Sequence, residues 1–209
     1  MRSTEIFSAV AEFGESYGFE PDHAYQVSRI VLRLFDALQP LHGMGNTERI
    51  WLRAAALLHD IGKAQDPRDH HKVGSDIILN GSDLPFRREE RRIIGLIARY
   101  HRGSLPRFDH RHFRDLDMDE QLCVRKLAAL LRLADGLDKG HSQLVESLEC
   151  SIRRGLISLR ATSRDVLHVD SILAKADLFE QVFRRRVAIH VSVGVSDLDR
   201  ALDRHVWLA

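Results

Sequence analysis

The chain has 209 residues, of which 44% are hydrophobic and 29% charged, with a net charge of +1 when histidine is neutral. That length allows one good-sized domain or a domain with a small appendage, and the balance excludes extended disorder and any strong field favouring nucleic acid or an acidic membrane. Two cysteines, Cys123 and Cys150, are too few for a disulfide framework or a cysteine-rich zinc site. No segment reaches the roughly 20 apolar residues of a membrane helix, and the start does not read as a signal peptide. A cytoplasmic protein is expected.

Helical spacing runs from residue 4 to 17 through Ile6, Phe7, Val10 and Phe13, up to Gly18. A second helix is expected to begin at Pro21 with Asp22 in its first turn and to continue to Leu38, where Pro40, Gly43 and Gly45 break it. Thr47 is the predicted cap of a helix through ERIWLRAAALLH, stopped by Gly62. Further helices are predicted over HHKVGSDIIL, from about Arg87 to His101, and from about Asp119 to Leu137. The stretch between the last two reads as a loop.

After about residue 145 the texture changes. LECSIR and GLISLRAT read as strands of a hairpin around Arg154-Gly155, residues 170 to 186 return to helical spacing, and VAIHVSV is a third strand. The expected fold is mainly α: a helical bundle over residues 1–144, then a small α+β subdomain over 145–209. The arginine groups at 87–92 and 184–186 read as solvated faces. The apolar tail around Trp207 suits packing against the small domain or a homodimer contact.

Chemistry is suggested by register. His23 shares a helix face with Val27, Ile30 and Leu34; His59 and Asp60 end an apolar run; His101 follows Ile94 and Ile97; Asp135 follows Val124, Ala128 and Leu131. Four helices thus each aim a histidine or aspartate inward. Buried carboxylates need a cation or hydrogen-bond partner, so bound divalent metal is expected, with a metal-free His–Asp network as the alternative. Mixed nitrogen and oxygen donors suit Mn, Fe, Zn, Co or Ni, and Mg where water completes the shell.

The strings ALLHDIGK, HHKVGSDIIL, ARYHRGSLP and LLRLADGLD resemble the ligand motifs of the HD-domain metal-dependent phosphohydrolases. The resemblance implies an HD-type bundle and a ligand series of His23, His59, Asp60, His70, His101 and Asp135, with His71 the alternative to His70; Gly74, four positions on, favours His70. With the later DLFEQVF, the chain is similar to the C-terminal half of the exopolyphosphatase/guanosine pentaphosphatase family, where an HD-type domain precedes a small α+β domain. Members of that family carry their exopolyphosphatase residues on an N-terminal actin-like domain, for which 209 residues leave no room; that activity is not expected here.

By the resemblance His23, His59, Asp60 and Asp135 hold one ion, His70 and His101 complete a second site, and Asp60 bridges. One or two divalent ions would then activate a water for in-line attack on a nucleotide or other phosphoester. Asp60 and Lys63 are the expected catalytic residues, and Lys63 and Arg102 the expected phosphate contacts, although surface charge explains the last two equally simply. Asp138 is expected to buttress Asp135 or cap its helix. A non-catalytic or weakly catalytic nucleotide- or polyphosphate-binding regulatory module, related to the C-terminal half of exopolyphosphatases, is the alternative. Binding to nucleic acid is not expected, since an aromatic and basic groove signature is missing. Residues 102 to 118, with His110 and His112, are the expected specificity loop.

Overall fold

The computed structural model describes residues 2–194. The tail around Trp207 lies outside the described residues. The chain begins with α1 (Ser3–Glu15), α2 (Pro21–Ala37), the short α3 (Gln39–His42) and α4 (Asn46–Leu58). There follow α5 (His70–Asn80), α6 (Arg88–Arg99) and the long α7 (Met118–Leu137). The remainder comprises β1 (Val145–Arg153), β2 (Leu156–Ser163), α8 (Val169–Leu173), α9 (Asp177–Phe183) and β3 (Arg186–Val193).

Local signals explain most of the boundaries. Pro21 opens α2, where its missing N–H costs nothing. At α7, Asp117 accepts from the Glu120 N–H at 2.8 Å while Glu120 accepts from the Asp117 N–H at 3.1 Å, a reciprocal capping box. The α4 start differs from expectation: Thr47 lies inside the first turn, and Glu48 instead reaches back to the Gly45 N–H at 2.8 Å. The expected break after Leu38 contains the extra turn α3, because proline is tolerated in a first helical turn; Gly43, at φ +68°, then ends it.

α7 is the spine. From Leu127 to Leu137 its residues are all buried, and it packs against α2, α4, α6, α8 and α9. On α2 the same logic holds: Val27, Ile30, Val31 and Leu34 are buried on the helix that packs against α4 and α7. Each such fully buried aliphatic side chain contributes about 1.5–3 kcal/mol.

The sheet has the order β1-β2-β3 among the described residues, with β1 antiparallel and β3 parallel to β2. The hairpin turns at Arg154-Gly155, where Gly155 has φ +72°. Parallel strands need a crossover, which α8 and α9 supply. Residues 170 to 186 are therefore two short helices rather than one. Asp177 starts the second: its Oδ1 accepts from the Leu178 N–H at 2.8 Å, and its carboxylate holds the buried Arg132 through two bonds of 3.0 Å. Arg184, at φ +51°, closes α9 and releases the chain into β3. Sheet residues Val145, Leu148, Ile157, Leu159 and Val187 join the same hydrophobic core as the helices. No helix among the described residues is long and apolar enough to cross a membrane.

One close approach sets the site's geometry. A Cβ on Gly62 would lie 2.2 Å from the His70 carbonyl oxygen and 2.7 Å from the Gly74 amide nitrogen. Only glycine lets the turn after His59-Asp60 lie against α5. Gly62→Ala is expected to destabilise the protein by about 3 kcal/mol through overpacking; chemical denaturation measures it, and an unchanged midpoint would contradict this packing.

Candidate metal centre and phosphate cleft

Helix ends bring the polar residues together. His23 lies in the first turn of α2, His59 and Asp60 follow the last turn of α4, His70 opens α5, His101 follows α6, and Asp135 is in the last turn of α7. His23, His59, His70 and His101 are each no more than 2% exposed, and Asp135 is 8% exposed. The structure thus gathers all six expected residues.

The histidines share one hydrogen-bonding scheme. His59 Nδ1 faces the Ala56 carbonyl at 2.8 Å, His101 Nδ1 that of Ala98 at 2.6 Å, and His70 Nδ1 that of Pro67 at 3.0 Å. A carbonyl oxygen only accepts, so each Nδ1 carries a proton and Nε2 is the atom each ring presents to the cluster. These Nε2 atoms converge: His70 Nε2 lies 3.4 Å from His101 Nε2, and His59 Nε2 lies 3.2 Å from His23 Nε2. His23 is fixed differently, with Nδ1 donating to Asp138 Oδ2 at 2.8 Å. Asp138 is the C-cap of α7, as expected, and its carboxylate both holds His23 and accepts from the Gln143 N–H at 2.8 Å.

Asp60 stands between two groups. Its Oδ2 is 3.5 Å from His59 Nε2 and 3.8 Å from His23 Nε2, while Oδ1 is 3.1 Å from His70 Nε2 and 3.5 Å from His101 Nε2. Asp135 Oδ1 faces His23 at 3.6 Å and His59 at 3.8 Å. Donor atoms of His23, His59 and Asp135 lie within 4.8 Å of one another, as do those of His59, Asp60 and His101. His71 is not in this cluster; it packs behind Gly103, and burial, with Arg102 and His70 nearby, pushes it down to about 4.

Electrostatics follow from burial and crowding. Burial would raise the Asp60 carboxyl, but the imidazoles of His59, His70 and His101 and the Lys63 ammonium hold it well below the usual carboxylate range. Asp135 is likewise pulled down, against burial, by His23 and Lys175. His59 and His101 are lowered by burial, which disfavours the charged ring. His23 goes the other way: despite its burial, Asp135 and Asp138 raise it to about 9. A proton on His23 and an ammonium beside each carboxylate thus offset the two buried negative charges. Lys63 Nζ is 2.6 Å from Asp60 Oδ2, and Lys175 Nζ is 2.5 Å from Asp135 Oδ2.

A polar cleft of about 350 Å³ opens over the cluster, lined by Asp60, Lys63, His70, Arg102, Lys139 and Lys175 among others. Lys63 also contacts Glu20 at 3.3 Å, and Arg102 Nη1 is 3.4 Å from each ring nitrogen of His70. Both expected phosphate contacts thus face the cleft. Of the expected specificity loop, Gly103 lines the cleft beside Arg102, but the histidines do not: His110 stacks on Tyr100, and His112 lines a separate cavity with Arg88 and Arg92.

Lys139, His141 and Lys175 are functional candidates that sequence reasoning missed. His141 stacks on His23 with ring centroids 3.6 Å apart, and its Nδ1 bonds Glu20 at 2.7 Å. A signal existed, since the turn DKGH directly follows Asp135-Gly-Leu and keeps Lys139 and His141 close to it.

The model of the Ppx/GppA phosphatase, domain III, matches residues 7–181. The chain belongs to that family. A search of curated proteins finds no match. Membership relates the chain to phosphatases, and the match spans the bundle, the hairpin and most of α9.

Arg132 on α7 links the end of α6 to the start of α9 beside the site, bonding the Tyr100 carbonyl oxygen at 3.2 Å as well as Asp177. Asp177→Ala leaves this buried cation without its carboxylate and is expected to cost about 3 kcal/mol, read by denaturant unfolding; a loss below about 1 kcal/mol, the surface-pair range, would contradict the role assigned to the pair.

Proposed function

We propose that this protein is an HD-type metal-dependent phosphohydrolase acting on a nucleotide or other phosphoester. The observation that carries the reading is the convergence of imidazole Nε2 atoms and two carboxylates on one buried space. Such a donor set fits divalent metal: Nδ1 of each histidine is tied back by a carbonyl or carboxylate, the usual arrangement behind metal-bound imidazole. His23, His59, Asp60 and Asp135 would hold one ion. His70 and His101 would hold a second, with Asp60 offering one oxygen to each. Mixed nitrogen and oxygen donors suit Mn, Fe, Zn, Co or Ni, or Mg with water. When bound, such ions polarise phosphoryl oxygens and lower the pKa of water toward neutrality.

The protein's own side chains do the remaining work. Lys63, Arg102, Lys139 and Lys175 surround the cleft with positive charge and would bind and orient phosphate oxygens. Asp138 keeps His23 oriented. In this reading the bundle up to residue 144 carries the ion ligands, and the small α+β part from residue 145 contributes Lys175. The alternative of a purely regulatory module leaves the buried donor set without a purpose.

Phosphate release from a panel of nucleotides and phosphoesters, with manganese supplied, tests the reading. Asp60→Ala is expected to lower turnover at least about 100-fold, since it removes a group shared by both ion sites; unchanged turnover would overturn the assignment. Ion uptake must also displace the His23 proton. Because that group stays protonated up to about 9, manganese affinity is expected to rise roughly tenfold per pH unit between 7 and 9, with about one proton released per chain at pH 7. Calorimetry in buffers of different ionisation enthalpy reads the proton; a pH-independent affinity would contradict the His23 assignment.

A further inference from the structure

A second cavity, of about 320 Å³, adjoins the phosphate cleft and has no part in the chemistry above. Its walls come from the end of α7, the turn that follows, the connector after β2, and α8. They are largely apolar, with Leu137, Leu144, Val166, Leu167 and Ile172 contributing. Val166 is 67% exposed among the described residues, a large apolar side chain at the rim.

The two cavities share a wall. Lys139 lines both. Asp138 lines the apolar cavity while its carboxylate grips His23. Gly136 sets the spacing: a Cβ there would meet Lys175 Cγ at 3.2 Å and Ile172 Cα at 3.6 Å. Lys175 belongs to the cleft and Ile172 to the cavity, so both press on the same stretch of α7 backbone. Small-molecule sites pair an apolar hollow of at least about 300 Å³ with a few placed polar groups, and here Lys139 and Ser171 are such groups.

We infer that this cavity receives the compact apolar or aromatic portion of an organic phosphoester whose phosphate lies in the adjoining cationic cleft. The inference rests on the function proposed above and adds a substrate class to it. A volume near the lower end of the small-molecule range suits a single ring system. An inorganic phosphate chain has no group to fill it, so the pair of cavities selects organic esters over inorganic phosphates. Lys139, on the shared edge, lies where the ester linkage between the two portions would pass.

Equilibrium binding to the manganese-supplied protein tests this without turnover. The probes are phenyl phosphate, adenosine 5′-monophosphate and inorganic phosphate. At least one organic ester is expected to bind about tenfold or more tightly than inorganic phosphate, a ratio equivalent to ~1.4 kcal/mol. Ser171→Trp, which fills the cavity, and Val166→Asp, which makes its rim polar, are expected to abolish that preference while inorganic phosphate binds as before. Melting curves check that each variant is folded; Val166→Asp, at an exposed position, serves if Ser171→Trp is not. Two organic esters that bind no better than inorganic phosphate, or a preference that survives in a folded variant, would overturn the inference. Asp60→Ala separates the two readings. If manganese-dependent phosphate release persists in it, the metal-centred function fails; if that release is lost and the ester preference alone is missing from the unsubstituted protein, only the cavity's role fails.

Discussion

Imidazole nitrogens and two carboxylates, buried at the meeting point of helix ends, must share one small space, and this constraint governs the rest of the architecture. Three of the four Nδ1 atoms are committed to backbone carbonyls one turn away, so those rings cannot turn aside from the cluster. Burial makes isolated charges costly there. Balance comes from a proton on His23 and the ammonium groups of Lys63 and Lys175, each of which an incoming cation would displace or redirect. The lysines would then be free to meet a phosphate.

Backbone packing serves that convergence. Gly62 lets the turn after α4 lie on α5, which brings Asp60 to His70. Gly136 lets α8 approach α7, which brings Lys175 to Asp135. Arg132 ties the Tyr100 carbonyl, just before His101, to Asp177 at the start of α9. Among the described residues the sheet supplies none of the clustered side chains, yet its hairpin and crossover fix where the chain carrying Lys175 runs.

Much of this is legible in the sequence because helical periodicity reports burial. His23, His101 and Asp135 each stand in register with an apolar stripe, and the structure buries each of them. Gly74 favours His70 over His71, and its Cβ position lies 3.4 Å from the Gly62 nitrogen, the contact that seats α5. The misses have physical causes. Thr47 has the chemistry of a cap, but Glu48 reaching back to Gly45 moves the helix start earlier. Residues 170 to 186 have continuous helical spacing, and the break comes from a tertiary pair, Asp177 with Arg132, that no local pattern reveals. Lys175 falls in that break and Lys139 and His141 fall in a turn, so periodicity is silent about them.

Membership in the Ppx/GppA phosphatase, domain III family relates this chain to phosphatases; the buried donor set supplies a physical reason to look for chemistry within the described residues themselves. The central claim is that the cluster holds metal. Its most direct test is elemental analysis of protein purified without chelators, set beside the His59→Ala and Asp135→Ala variants. About two divalent first-row ions per chain are expected, with their loss in both variants. Protein that is folded, carries no ion, and takes none up from manganese, iron or zinc would contradict it.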